Sequence, residues 1–158
     1  VLAMSGADTS IIDARIDHHG KKEPANGNPG DLVAVLTESE IRDAALTMIQ
    51  SAGTGDRLDL AVFYLSHRKV VEALLAAKAR GAELRVLLDA NNEAFGHDKS
   101  GIPNRQVAME LHKAGVPVRW CYTRGEQCHS KLLTLTPEKG NTRILLGSAN
   151  LPVVILMT

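Results

Sequence analysis

Cys128-His129-Ser130-Lys131-Leu132-Leu133-Thr134-Leu135-Thr136 is followed, after an interrupted stretch, by Ile144-Leu145-Leu146-Gly147-Ser148-Ala149-Asn150. Leu132–Thr136 and Ile144–Leu146 are short, apolar and rich in strand formers. Pro137-Glu138-Lys139-Gly140-Asn141 between them is turn-like, so the pair reads as two strands in hairpin connection. Side chains alternate faces along a strand, which points His129 and Lys131 the same way, and Ser148 and Asn150 likewise if the extended conformation persists. An imidazole, an ammonium, a hydroxyl and an amide brought to one place suit a phosphate ester. The His attacks or protonates, while the Lys and Asn hold phosphoryl oxygens.

Upstream, the chain reads as scaffold for that site. Leu32–Leu36 is a buried-strand candidate, and Thr37 with Glu40 forms a capping box for a helix whose apolar stripe is Ile41, Ala44, Ala45, Met48 and Ile49. Leu58–Leu65, apolar apart from Asp59, suits a central strand covered on both faces. Ser66 caps a helix running from about His67 to Arg80, stopped by Gly81. Leu84–Leu88 is the next strand. Asp89, at its end, reads as a turn cap, with a place in the cleft where open α/β sheets hold ligands as the other reading. Pro103 opens a third helix with Val107, Ala108 and Leu111 inward and Gly115 as its stop. Val116–Tyr122 is a fourth strand with Trp120 as a core anchor. The loop Thr123–Gln127, carrying Arg124 and Glu126, leads into the His129 strand. Strand–helix alternation closed by a hairpin predicts an α/β fold, with a mixed, mainly parallel sheet flanked by helices.

Residues 1–30 lack periodicity, and Lys21–Gly30 is polar and full of breakers, so this part reads as a flexible segment or linker ahead of a single domain over 31–158. His18-His19 reads as a solvated pair, and His97-Asp98-Lys99 as a polar loop bordering the site. With 158 residues, 44% of them hydrophobic and a formal net charge of zero, the chain has material for a real core but no global basic field for nucleic acid. Aromatics make up 3%, which disfavours a base-stacking single-strand binder. No apolar run approaches a membrane span. Cys121 and Cys128 form neither a disulfide framework nor a metal set. They read as free packed thiols, with a pairing across neighbouring strands as the other reading.

The motif residues resemble the phospholipase D superfamily, whose signature is H-x-K-x4-D followed by G-S-x-N. His129, Lys131, Gly147, Ser148 and Asn150 match it, and Arg80–Asp89 and Ala114–Trp120 are also family-like. Thr136 stands where the family has Asp, and the stretch from Thr136 to Gly147 is several residues longer than the usual spacing. The resemblance covers roughly 31–151. It implies a phospholipase D-like half-domain, and a phosphodiesterase or phosphatidyl transferase acting without a metal or other cofactor through a phosphohistidine.

On that resemblance the catalytic residues are His129, Lys131, Asn150 and Ser148. Gly147, Glu126 and Asp89 are expected at the substrate. The family builds its site from two H-x-K halves and only one is present, so a second half is expected from a homodimer or from a longer chain, of which this sequence is expected to be a piece truncated at its C-terminus. The preferred substrate is a phospholipid, as in cardiolipin synthases, which favours a cytoplasmic or peripherally membrane-associated protein. A nuclease is the second choice. The rival class is a catalytically weak half-domain that dimerises or docks a partner.

Overall fold

In the computed structural model, residues 2–5, 15–16, 22–23, 32–36, 38–90, 104–121 and 128–147 are described. In chain order the elements are β1 (Leu2–Ser5), β2 (Arg15–Ile16), β3 (Lys22–Glu23), β4 (Leu32–Leu36), α1 (Glu38–Ser51), β5 (Arg57–Val62), α2 (Arg68–Ala79), β6 (Glu83–Asp89), α3 (Arg105–Lys113), β7 (Val118–Cys121), β8 (Lys131–Thr136) and β9 (Arg143–Gly147). Seven strands form one sheet in the order β4-β1-β9-β8-β5-β6-β7, and β2 with β3 forms a separate two-residue ladder.

The α/β class and the mixed sheet are as expected, but the parallel share is smaller than "mainly parallel" implied. Among the described residues only β5–β6 and β6–β7 run parallel, joined through α2 and α3. The β5–β8, β8–β9, β9–β1 and β1–β4 pairs are antiparallel. The excess comes from the hairpin and from β1. Leu2–Ser5 is a strand inserted between β4 and β9 where an unstructured start was expected. Four residues are too few to display a period. What places them in the sheet is the pair of strand edges on either side, which no local pattern reveals. Thr37, His18-His19, His97-Asp98-Lys99 and Pro103 lie outside the described residues.

The sheet buries one face. Leu58, Leu60 and Val62 of β5, Leu84, Val86 and Leu88 of β6, and Leu133 and Leu135 of β8 join Ile41, Ala45, Met48 and Ile49 of α1 and Val70, Val71, Leu74 and Ala77 of α2 in one core. The intervening positions of β5 and β6 are half-exposed or exposed. There Asp59 accepts from Arg57 and Arg85. The both-face burial expected of β5 is therefore corrected: Leu58-Asp59-Leu60-Ala61-Val62 alternates a large apolar side chain with a charged or small one, and the helices described cover only the large set. The strand also ends at Val62 rather than Leu65. Trp120 is 41% exposed and so is not a core anchor. It shares the face of buried Leu88, but β7 is the edge strand, and among the described residues no strand pairs with it on the outer side.

α2 begins at Arg68 behind His67, whose side chain makes no cap, and Ser66 is exposed. Its end is more informative. Gly81 has φ +96°, and a Cβ there would fall 2.6 Å from Thr54 Oγ1, so glycine is required on both counts. Arg80, just before it, reaches across to α1, whose last turn contains no basic residue. Its Nε donates to Ala52 O at 3.0 Å, and its Nη2 to Ile49 O at 3.0 Å and Gln50 O at 3.1 Å. These carbonyls lie at the end of α1, where the last carbonyls lack intrahelical partners, and Ile49 O also accepts from Ala52 N–H at 3.3 Å. Replacing Arg80 with Met should cost about 1–2 kcal/mol, lowering the melting temperature by roughly 2–8 °C. Arg80→Lys should recover less than half, because an ammonium cannot fork over separate carbonyls. Calorimetric melts of the three proteins check this.

Candidate active site

The parallel strands β5, β6 and β7 end on the same edge of the sheet from which antiparallel β8 departs. Val62 pairs with Lys131, and Asp89 with Cys121. That edge is the crevice in which open α/β sheets place their ligands. One step past the Leu132↔Leu146 pair on the β8–β9 ladder, Gly147 stands beside Lys131. The hairpin thus delivers both halves of the sequence motif to one corner. Ser148 and Asn150, and Glu126 of the preceding loop, lie outside the described residues.

His129 and Lys131 meet at Phe63, the first residue after β5. The imidazole of His129 lies 4.9 Å from the Phe63 ring, centroid to centroid, tilted by 58°. The Lys131 ammonium is 5.5 Å from the same ring centroid. Its Nζ donates to the carbonyl of His129 at 2.9 Å. The imidazole is exposed, whereas Lys131 is only 3% exposed. Burial removes water from the ammonium and holds its pKa below the ordinary lysine value, so the carbonyl and the ring face offset desolvation only in part.

The backbone around this corner is clamped. Phe63 N–H donates to Ser130 O at 3.0 Å, joining the exit of β5 to the residue between His129 and Lys131. Asp89 is 1% exposed, and its Oδ1 accepts from the backbone N–H of Cys128 at 3.0 Å. The residue expected at the substrate thus has a carboxylate oxygen engaged in holding the chain that leads to His129. Cys121 and Cys128 are disulfide-bonded, with Cα atoms 6.1 Å apart, which corrects the expectation of free thiols. The cause is tertiary: pairing places Cys121 opposite Asp89, and Asp89 draws Cys128 to the same point.

Thr136 lies at the other end of β8, opposite Arg57. It is five steps along the strand from Lys131, about 17 Å at the usual rise. A carboxylate at that position would not reach a group bound at His129.

The sequence pattern did not single out Phe63 or Asn104. Phe63 appears there only as the continuation of an apolar run, and Asn104 only as a polar residue beside Pro103. Among the described residues no group of three or more His, Cys, Asp or Glu side chains is arranged to hold a metal ion, and no helix is long and apolar enough to cross a membrane.

The family model described as "Cardiolipin synthase, PLD-like domain" matches residues 45–152, where PLD stands for phospholipase D. No curated protein matches the chain. Among solved structures, it is similar to Nuc, a phospholipase D family member from Salmonella typhimurium, at 19% identity and a TM-score of 0.47, covering 66% of this chain and 72% of that one. It is similar to NucT from Helicobacter pylori at 12% identity and a TM-score of 0.39, over 68% of this chain and 77% of the other. The archaeal chromatin protein TrmBL2 follows at 12% identity and a TM-score of 0.42, covering 71% of this chain and 44% of that one. The family match spans well over half of the chain and includes both His129–Lys131 and the Gly147–Asn150 segment, and the chain therefore belongs to the cardiolipin synthase PLD-like domain family of the phospholipase D superfamily.

Proposed function

We propose that the chain supplies one half of a phosphodiesterase or phosphatidyl-transferase site acting on phospholipid. What supports this is the convergence of an exposed imidazole and a buried ammonium on one aromatic ring, at the carboxyl edge of the parallel strands and beside Gly147. In the proposed reaction an imidazole nitrogen of His129 attacks phosphorus. The bond from phosphorus to the leaving alcohol breaks, and that alcohol takes its proton from the His129 of a second copy. Water or an acceptor alcohol then attacks the phosphohistidine, passing its proton to the second imidazole, and the phosphorus–nitrogen bond breaks to regenerate His129. An imidazole serves both as nucleophile and as acid near neutrality because its ordinary pKa is about 6.5. Lys131 and Asn150 stabilise the charge that builds on the phosphoryl oxygens, Ser148 supports them by hydrogen bonding, and Gly147 lets backbone approach the phosphate. Glu126 and Asp89 border the substrate. A two-fold dimer is the simplest way to set two copies of His129 face to face. The substrate is taken from a membrane surface, which the neutral net charge permits.

Wild type and His129→Asn, both shown to be folded, should be compared on phosphatidylglycerol in mixed micelles with excess chelator, across a range of protein concentrations. Turnover should rise faster than linearly with wild-type concentration and fall about a thousandfold or more in the variant. A phosphohistidine should be trapped only in the wild type. Equal turnover in the two proteins overturns the assignment. Cleavage of DNA in place of lipid moves the same residues to a nuclease, and no turnover on either leaves a docking half-domain.

Lys131→Met should uncouple stability from function. Lys131 titrates at a lower pH in the fold than in the unfolded chain. Between those two values the unfolded chain binds more protons, so wild-type stability rises with pH across that window. Below the window the cost of the buried charge is fully present. Met fills the same space without the charge, so at neutral pH the variant should be about 1–2 kcal/mol more stable, melt a few degrees higher, lack the alkaline rise and lose turnover. Melts from pH 6 to 11 with parallel assays check this.

A further inference from the structure

Asn104 occupies the N-cap position of α3 but does not cap it. Its side chain makes no hydrogen bond to the first turn of its own helix, although an N-cap Asn ordinarily accepts from that turn. Its φ is +66°, a left-handed conformation that Asn tolerates better than most residues. At 7% exposed, it turns its amide inward. Oδ1 accepts from Leu65 N–H at 2.8 Å, and Nδ2 donates to Phe63 O at 3.0 Å and to Asp89 O at 3.1 Å. The partners fix which way the amide points, because one side meets an N–H and the other meets two carbonyls.

This one side chain ties the exit of β5 to the end of β6. Together with the Phe63 N–H to Ser130 O bond, it leaves Phe63 held on both sides, its N–H by the His129 segment and its C=O by Asn104. A residue pinned at both backbone polar groups has little freedom in where it aims its Cβ. Phe63 carries the ring against which His129 leans and over which the Lys131 ammonium sits. We propose that Asn104 is a positioning residue for the His129–Lys131 pair, acting through the backbone of Phe63, with the Phe63 ring as the wall that sets the imidazole's orientation. Its bearing on turnover rests on the phosphodiesterase reading above; its effect on the imidazole does not. Only a carboxamide makes all three bonds, since a carboxylate would face two carbonyls with no proton to give and an aliphatic side chain would remove all three.

The test uses Asn104→Asp, which keeps shape and the acceptor, with Asn104→Gly as a second variant that accepts the left-handed backbone should the first fail to fold. Phe63→Leu removes the ring while keeping apolar bulk, and Phe63→Tyr restores it. The primary readout is the imidazole carbon-bound proton resonance of His129 followed through a pH titration. The second is kcat and KM on bis(p-nitrophenyl) phosphate. Asn104→Asp or Asn104→Gly should shift the His129 resonance in the same direction as Phe63→Leu, with Phe63→Tyr returning it toward wild type. Turnover should fall about ten- to a hundredfold in kcat with KM within about twofold, in the range that misplacement of a catalytic group produces. Combining either Asn104 variant with Phe63→Leu should add little to the loss from Phe63→Leu alone. Folded Asn104 variants with an unmoved His129 resonance, or losses that simply multiply in the double variants, overturn the proposal. If wild type fails to turn over any diester, the functional reading falls while the resonance still decides the role of Asn104.

Discussion

Burying an ammonium at the mouth of a sheet is costly, and the arrangement around Lys131 follows from that cost. Its Nζ has water on almost no side and finds a carbonyl and an aromatic face instead. The carbonyl belongs to His129, so holding the charge also fixes the backbone of the imidazole. The aromatic face belongs to Phe63, so the strand must stop at Val62 and turn its next residue into the site. Had β5 continued to Leu65, Phe63 would have kept the alternation of the strand and left the ammonium without its ring. Asn104 secures that turn from a distant part of the chain.

The same edge is reinforced from the β6–β7 side. Asp89 bonds the Cys128 amide, Ala90 N–H donates to Cys121 O at 3.0 Å, and the disulfide closes between those two points. A residue beside the imidazole is therefore fixed by a covalent bond and a hydrogen bond to carboxylate, both stiffer than packing alone. Thr136, which stands where the family signature has Asp, falls at the remote end of β8, opposite Arg57. The substitution bears on the far end of the hairpin, not on the groups that would meet phosphate.

The elements themselves were largely legible in the chain. Apolar periodicity located α1, α2 and α3, and the expected stripe Ile41, Ala44, Ala45, Met48 and Ile49 of α1, with Ala108 and Leu111 of α3, faces the core. The two apolar runs around Pro137–Asn141 form the predicted hairpin. Misreadings concentrated where an outcome depends on the neighbour. Burial of Trp120 depends on whether a strand lies beyond β7, the chain past the stop at Val62 is bonded by Asn104, and the pairing of β1 depends on the edges of β4 and β9.

The sequence by itself determined the α/β class, the helices and their inward stripes, and the His129, Lys131 and Gly147 motif that marks the family. These are properties of local spacing, because a helix or strand exposes its period within a few residues. Tertiary structure alone decided which sheet face is covered, that Cys121 and Cys128 meet, that Lys131 is buried, and that Phe63 and Asn104 belong to the site. Asn104 is 41 residues from Phe63, and Phe63 is 66 from His129. No local pattern records such separations, because what joins them is the packing of strand ends at one edge of the sheet and the need of each buried polar group there for a partner.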